Sequence, residues 1–306
     1  MSGARATGYR LLGPRLDYLL HLRPAEWPIM AAHTALGYLL AVGLSGAAAG
    51  ERLGSAAAGL LLWVACLNGG TLALNSAFDR DEGDIAYLRN PPPPPRRLAV
   101  FALGLMAAGQ VAALALPPLF AALYGICFVL SVLYSVPPFR LKAVAGADWL
   151  INMVGFGTLT PLAGWAATGR PVSTVAGVLL LGFCPLFAAL YPLTQIYQLE
   201  EDARRGDRTL ALVLGAGRSL DVALVATALA FLLFAWAAGG SAWPPGVPSA
   251  WRWAALAIAL AAWLAVLVPR RLRLERLGPG DHQRGMYLAL GAWAVTDLAV
   301  VLAWGI

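Results

Sequence analysis

Long apolar runs, each close to 20 residues, alternate with short polar stretches along almost the whole chain. A helix that crosses a bilayer needs roughly 20 mainly apolar residues. The pattern therefore predicts an all-α bundle of about nine transmembrane helices around a central cavity. The predicted spans cover residues 27–48, 55–78, 98–116, 117–134, 147–168, 172–195, 220–239, 251–268 and 286–304.

The composition agrees with this interpretation. The 306 residues are 59% hydrophobic and 12% charged, whereas a soluble domain is usually about 45–50% apolar and about 25% charged. We expect residues 1–306 to form a single membrane domain, with residues 1–26 as a cytoplasmic or interfacial segment ahead of the first span. The 3 cysteines are scattered through apolar runs, so they predict neither a disulfide framework nor a zinc site.

The basic residues predict the orientation of the bundle, because Lys and Arg accumulate in cytoplasmic loops. With nine spans and a cytoplasmic N-terminus, all but three of the 22 basic residues fall on the cytoplasmic side. The exceptions are Arg52, Arg170 and Arg252. The formal net charge of +6 then reflects membrane topology, and no nucleic-acid partner is needed to explain it.

The acidic residues are concentrated where two of the apolar runs end. Half of the 16 acidic residues lie within residues 79–84 and 200–207, which follow the second and the sixth predicted span on the cytoplasmic side. Acid clusters at helix ends are often no more than solvated loops. Here, however, each cluster continues a stripe of polar residues within the preceding span, and this continuity favours a functional site.

The two polar stripes have the spacing of one helix face. Neighbouring members are three, four or seven residues apart, which places them on the same side of an α-helix. Polar groups on one face of a membrane helix are expected to face the bundle interior or a wet cavity. The stripes are Asn68, Asn75 and Asp79 in the second span, and Tyr191, Gln195, Gln198 and Asp202 in and after the sixth.

Carboxylates gathered at one membrane face repel each other unless a cation lies between them. Oxygen ligands without nearby His or Cys suit a hard cation such as Mg²⁺. Mg²⁺ usually keeps several waters and joins one or two carboxylates to the phosphates of a substrate. An apolar cavity beside such a site predicts a ligand with an apolar chain and a diphosphate head group.

Four segments of the chain resemble motifs of the UbiA superfamily of intramembrane prenyltransferases. NSAFDRDEGD (75–84) and QLEEDARRGDRTLA (198–211) resemble its two Asp-rich motifs, N-x-x-x-D-x-x-x-D and D-x-x-x-D. LYSVPPFRLK (133–142) resembles the segment after the family's fourth helix, and LRPAEWP (22–28) resembles the entry to its first helix. The four matches come in the family's order, and about nine helices is also the family's number.

The resemblance implies which residues are catalytic and hold Mg²⁺. The sequence departs from the first motif because Gly83 stands four residues after Asp79, so Asp84 or Asp81 takes the third role. The implied metal ligands, which are also the implied catalytic residues, are Asn75, Asp79, Asp84 and Asp202.

The second motif also departs from the family pattern. Gln198, a neutral amide, stands in place of the first aspartate. A glutamine can orient a water or a phosphate oxygen, but it brings no charge. Glu200 or Glu201 is therefore a candidate to compensate.

Further polar residues are expected to bind the substrate. Arg140 and Lys142 follow a rigid Pro-Pro turn at the end of the fourth span. Arg can grip a diphosphate with two hydrogen bonds and Lys as a point charge, although both residues also fit plain cytoplasmic anchoring. The expected substrate-binding residues are Arg140, Lys142, Tyr134, Gln198, Asn68, Gln195 and Tyr191.

A few other polar residues lie within apolar spans. Asp148 and Asn152 share a face at the start of the fifth span and are expected to point at the cavity. Asp297 is either a functional acid deep in the last span or a partner of a neighbouring helix. His33 is expected to be a packed interior histidine. The proline run at 91–95 predicts a polyproline II segment.

The expected activity is Mg²⁺-dependent transfer of an isoprenyl group from an isoprenyl diphosphate to a lipophilic, most simply aromatic, acceptor. Diphosphate would be released at a cytoplasmic mouth, and the lipid bilayer is the remaining partner. Two alternatives stay open. A terpene cyclase of the UbiA type would form a cyclic product without an acceptor, and a cation transporter would move ions without consuming diphosphate. The sequence has no internal repeat of the kind that favours a transporter.

Overall fold

The structure is a computed structural model that describes residues 3–79, 85, 88, 90–239 and 248–305. In these residues the regular structure is helical, with two isolated β-bridges and no strand. The helical segments of the membrane body, numbered in chain order, are α1 (Trp27–Ala48), α2 (Leu53–Asp79), α3 (Leu98–Ala113), α4 (Pro118–Ser135), α5 (residues 147–166), α6 (Thr174–Ile196), α7 (Leu210–Gly239), α8 (Ser249–Leu272) and α9 (Pro279–Trp304).

Seven of these segments, all except α3 and α5, are long and apolar enough to cross a membrane. The shorter α3 has 16 residues, and α5 consists of three consecutive helical pieces. The predicted all-α membrane class is thus confirmed. Outside the membrane body lie short helices at Gly3–Leu12, Leu16–His21 and Leu199–Arg205, and 3₁₀ turns at Gly13–Arg15, Leu141–Ala143 and Leu274–Arg276.

Several helices extend further than the apolar pattern predicted. Helix α7 begins at Leu210, ten residues before the predicted start of its span, and α9 begins at Pro279. A helix does not end where its apolar residues end, because the backbone hydrogen bonds continue into the polar interface. Within α7 the backbone kinks at Gly215 (φ 74°), where the absence of a Cβ removes the steric penalty of a left-handed conformation.

Two apolar clusters fill the bundle, and α1 and α5 contribute to both. One cluster is built mainly from α1 and α6 to α9, and the other from α2 to α5 with the start of α1. The seam depends on Gly37 of α1 and Gly164 of α5. A Cβ at Gly37 would overlap the carbonyl of Pro161, and one at Gly164 would overlap the carbonyl of Thr34. Small residues let membrane helices approach this closely.

Two helices contain π-helical turns, at Leu62–Asn68 in α2 and Met153–Leu159 in α5. Such wider turns inside α-helices are frequent at functional sites. Both turns lie in the part of the bundle that surrounds the cavities described below.

The N-terminal segment packs at the end of the bundle where α2, α4 and α6 end, which we call the site end. His21 Nε2 lies 3.1 Å from the carbonyl oxygen of Pro92, and Arg23 donates to Ser76 Oγ of α2 at 3.1 Å. The proline run at 91–95, which adopts neither helix nor strand, is thereby held against the bundle.

Candidate active site

A cavity of about 320 Å³ lies at the site end, between α1, α2, α4, α5, α6 and α9. Its volume falls in the range of about 300–1,000 Å³ that is usual for small-molecule sites. Asp79, the last residue of α2, and Asp202, in the short helix after α6, both line it. The two acid-bearing helix ends therefore converge on one chamber.

Most of the predicted site residues line this cavity. Asn68 instead lines a second cavity, and Arg140 lines neither. Asp81 and Asp84 lie outside the described residues. The predicted residues on the wall of the first cavity are Asn75, Asp79, Asp202, Lys142, Tyr134, Gln198, Gln195 and Tyr191.

Asp79 is held by two cations from the loop that follows α4. The ammonium of Lys142, which is largely buried, is in direct contact with the Asp79 carboxylate and also donates to Asn75 Oδ1 at 2.9 Å. Arg140 Nη2 lies 3.6 Å from Asp79. Lys142 and Arg140, which the sequence predicted to bind the substrate, therefore already compensate the negative charge of Asp79.

Arg140 connects this group to the second acidic stretch. Its guanidinium donates to both carboxylate oxygens of Asp207, at 2.5 and 3.4 Å. The backbone adds a further link, because the amide of Arg208 donates to the carbonyl of Ala143 at 3.2 Å. The loop after α4 thus ties the end of α2 to the segment directly before α7, which the spacing of the motifs did not indicate.

Asp148 does not line the cavity as expected but is completely buried beside it. Its carboxylate accepts hydrogen bonds from the amides of Gly146 and Leu210 and from Gln195 Nε2, at 2.8, 3.1 and 2.8 Å. This carboxylate therefore joins α5, α6 and α7. Asn152, as predicted, does line the cavity.

The middle of the cavity wall carries a pair of tyrosines. The hydroxyls of Tyr134 in α4 and Tyr191 in α6 lie 2.9 Å apart. Each side chain thereby fixes the other across the boundary between the polar mouth and the apolar interior.

The inner part of the cavity is aromatic. Phe156 stacks on Phe187 with ring centroids 5.4 Å apart, and Trp293 meets Phe187 edge to face at 5.6 Å. His33 packs against Trp293 at 4.8 Å. On α1, α5, α6 and α9, the lining residues farthest from the site end are His33, Phe156, Phe187 and Trp293. Their rings therefore form the floor of the cavity.

His33 is fixed in this floor by hydrogen bonds to both ring nitrogens. Nε2 donates to the carbonyl of Gly157 at 3.2 Å, and Nδ1 lies 3.1 Å from Asp297 Oδ1. Asp297 is thus the partner of a neighbouring helix, one of the two roles considered for it. With both nitrogens engaged, His33 positions the aromatic floor.

Sequence reasoning missed several wall residues. Met286, Leu290 and Trp293 of α9 line the cavity at spacings of four and three, but an apolar stripe has the same appearance as a lipid-facing one. Arg23 and Glu26 also line it. The sequence did contain an indication of these two residues, since they are charged and stand directly before the first apolar run.

Glu26 has unusual electrostatics for a carboxyl at the edge of the membrane body. Burial raises its pKa from its ordinary value of 4.5 to about 7, and nearby Arg23 offsets only part of that rise. The carboxyl therefore changes charge near neutral pH at the edge of the polar mouth.

The sequence model of the UbiA prenyltransferase family matches residues 32–281. The chain therefore belongs to this family and is an integral, multi-pass membrane protein of the prenyltransferase class. This confirms the family that the four motifs indicated. No curated protein matches the sequence significantly.

Solved structures share the fold. A UbiA homologue from Archaeoglobus fulgidus bound to GPP and Mg²⁺ superimposes with a TM-score of 0.68 at 19% identity, covering 93% of this chain and 99% of that one. A UbiA homologue from Archaeoglobus fulgidus bound to DMAPP and Mg²⁺ gives a TM-score of 0.66 at 18% identity, covering 92% of this chain and 99% of that one. A digeranylgeranylglyceryl phosphate synthase gives 0.67 at 16% identity, covering 94% and 97%.

We expect Asp148→Asn to destabilise the fold rather than alter the cavity. The change replaces a charged acceptor of three hydrogen bonds with an amide that turns one donor towards other donors, at a cost of about 2–4 kcal/mol. A fall of roughly 5–10 °C in the midpoint of thermal unfolding in detergent should follow. Asp221→Asn, at an exposed ion pair with Arg271, is the control and should leave the midpoint nearly unchanged. Equal midpoints for the two variants would contradict the structural role.

Proposed function

We propose that this protein transfers an isoprenyl group from an isoprenyl diphosphate to a lipophilic acceptor. The observation that carries the proposal is the convergence of Asp79 and Asp202 on one cavity whose far end is aromatic. A diphosphate head at the carboxylate mouth and an apolar tail towards the floor match the two halves of this chamber. The GPP and DMAPP in the solved homologues are molecules of this kind.

The residues of the mouth fit Mg²⁺. Their donor atoms are oxygens, from Asn75, Asp79, Gln198 and Asp202, and Gln195 Oε1 is buried on the same wall without a hydrogen-bond partner. Within the described residues no group of three or more His, Cys, Asp or Glu is arranged around a common point. Two carboxylates suffice for an ion that is completed by water and substrate phosphates.

We propose Asn75, Asp79 and Asp202 as ligands, with Asp84 or Asp81 completing the set. When bound, the metal supplies positive charge that offsets the charge developing on the diphosphate as its C–O bond breaks.

Lys142 and Arg140 assist from the loop after α4. Lys142 already lies within hydrogen-bond distance of Asn75 and in contact with Asp79, so it is placed to neutralise a phosphate oxygen that arrives beside them. Arg140 is held by Asp207. It therefore fixes the position of that loop and adds positive potential near the mouth. Charges fixed in advance need little reorganisation when the leaving group departs.

The inner cavity protects the reactive end of the prenyl chain. Departure of diphosphate leaves an allylic cation, which water would capture. The rings of Phe156, Phe187 and Trp293 exclude water, and their faces attract positive charge. The acceptor attacks the cation and loses a proton. We propose that the mouth and the N-terminus face the cytoplasm, since the basic residues accumulate on that side, and that residues 1–306 act as one domain.

We expect Asp79→Asn and Asp202→Asn each to lower prenyl transfer by at least about a hundredfold, because each removes a charge that the leaving group depends on. The assay follows diphosphate release and prenylated product from labelled GPP in detergent with Mg²⁺. Asp221→Asn is the matched control and should retain wild-type activity. EDTA should abolish transfer, and added Mg²⁺ should restore it.

Wild-type activity in Asp79→Asn or Asp202→Asn, or activity that survives EDTA, would contradict the proposal. A cyclic product formed without an acceptor would identify a cyclase instead. Ion flux in sealed vesicles without consumption of diphosphate would identify a transporter.

The affinity for the donor should depend on the charge of Glu26. Because the pKa of this carboxyl is raised to about 7, it is mainly neutral below about pH 6 and negative above about pH 8, where it repels the diphosphate. The ratio of the wild-type KM for GPP to that of Glu26→Gln should therefore be near one at pH 6 and rise about three- to tenfold by pH 8.5. Glu275→Gln, which changes an exposed carboxyl away from the cavity, serves as the control. Parallel profiles for wild type and Glu26→Gln would show that Glu26 does not act on the donor.

A further inference from the structure

A second, smaller cavity of about 150 Å³ lies beside the first, enclosed mainly by α2, α4 and α5. The two cavities share part of their walls, so a group in one can meet a group in the other. The shared residues are Met30, Asn75, Tyr134, Asn152 and Phe156. Both π-helical turns contribute to the smaller chamber, through Asn68 in α2 and Gly155 in α5.

Asn68 has an unsatisfied amide in this chamber. Its side chain is only 4% exposed, and neither Oδ1 nor Nδ2 has a hydrogen-bond partner. An unpaired polar group in the membrane interior costs free energy that a ligand can recover. A primary amide presents an acceptor beside a donor, which matches a hydroxyl or a carbonyl oxygen.

The other polar side chains of the chamber are engaged within the protein. Thr71 and Ser131 bond to each other at 2.7 Å, and Trp63 donates to Thr160 at 3.3 Å. Asn75 Oδ1 accepts a hydrogen bond from Lys142, so this oxygen is directed towards the charged mouth of the first cavity. The third wall amide, Asn152, donates to the carbonyl of Asp148 at 2.7 Å, so Asn68 is the wall amide with neither side-chain atom paired.

The size and charge of the chamber restrict that ligand. A cavity of about 150 Å³ in a protein core holds one benzene molecule, so one six-membered ring fits. The residues that line it, all within the described part of the chain, include no Lys, Arg, His, Asp or Glu. A carboxylate-bearing ring would enter without a counter-charge, at a large desolvation cost.

We propose that this second cavity binds the acceptor, and that the acceptor is a neutral single-ring phenol or hydroquinone whose ring oxygen bonds to Asn68. This assignment rests on the proposed prenyl transfer. A ring held here presents a carbon across the shared wall to the allylic carbon of the donor. The donor C–O bond breaks with its electron pair on diphosphate, ring π electrons form the new C–C bond, and the ring proton leaves to the released diphosphate.

Two variants test the assignment by different means. Asn68→Leu removes the amide while keeping similar volume, and it should not lower the thermal midpoint because it also removes an unpaired polar group. Gly155→Leu fills the chamber, since a Cβ at Gly155 has no atom within 4 Å. The matched controls are Gln110→Leu, a partly buried amide on α3 away from both cavities whose Oε1 is also unpaired, and Gly104→Leu, an exposed glycine of α3 that also has open space.

The probes are hydroquinone, 4-hydroxybenzoate and toluene. Wild type should bind radiolabelled hydroquinone without any donor and prefer it at least about tenfold to the other two probes. Asn68→Leu should weaken hydroquinone binding, and raise its KM, by about tenfold, the loss expected for one hydrogen bond. Gly155→Leu should abolish hydroquinone binding. Both variants should retain the wild-type affinity for GPP, and both controls should behave as wild type.

Several results would overturn the assignment. If Asn68→Leu and Gly155→Leu bind hydroquinone as the controls do, the chamber is not the acceptor site, while transfer itself still stands. If Gly155→Leu raises the KM for GPP instead, the chamber holds the prenyl tail. A preference for 4-hydroxybenzoate would contradict the neutral acceptor. If wild type binds hydroquinone through Asn68 but prenylates no acceptor, it is the proposed function that fails.

Discussion

The site depends on keeping carboxylate charge compensated at the edge of a membrane. A bare carboxylate at the end of α2 would be costly in a region of low dielectric constant. Lys142 and Arg140 meet that requirement at Asp79, and Arg140 extends the same compensation to Asp207. One basic loop thereby fixes the distance between the end of α2 and the segment directly before α7, which are far apart in sequence. Without it, the two acidic stretches would repel each other rather than share a cavity.

The rest of the fold positions the other parts of the cavity relative to this charged group. The close approach of α1 and α5 at Gly37 and Gly164 sets the seam of the bundle. Beyond the mouth, polarity falls along the cavity, from the tyrosine pair to the aromatic floor anchored by His33. The π-helical turns widen α2 and α5 beside it. This gradient, from carboxylate to hydroxyl to aromatic ring, suits a ligand with a charged head and an apolar chain.

The sequence predicted those features that repeat along a single helix. Asn75 and Asp79 in α2, Gln195 at the end of α6 and Gln198 just after it lie on the cavity as their spacing indicated. Pairing between distant loops was not predictable in this way. Nothing in the local sequence indicates that Arg140 bonds to Asp207, because that contact depends on how the loop after α4 folds back.

The buried residues were harder to predict for a related reason. Asp148 has the spacing of a cavity-facing residue, yet three donors from the surrounding backbone and from Gln195 enclose it. The α9 stripe ending at Trp293 is apolar, and periodicity does not distinguish a cavity wall from a lipid-facing surface. The four family motifs, by contrast, identified the family correctly because they combine several residue types at fixed spacing.

In the proposed function, Asp79 and Asp202 together hold one metal–diphosphate group. A crystal grown with Mn²⁺ in place of Mg²⁺ and an unreactive thio analogue of geranyl diphosphate tests it directly through anomalous scattering from manganese. We expect manganese peaks between the analogue's phosphates and the carboxylates of both Asp79 and Asp202. Manganese bound at only one of these carboxylates, or diphosphate bound outside this cavity, would contradict it.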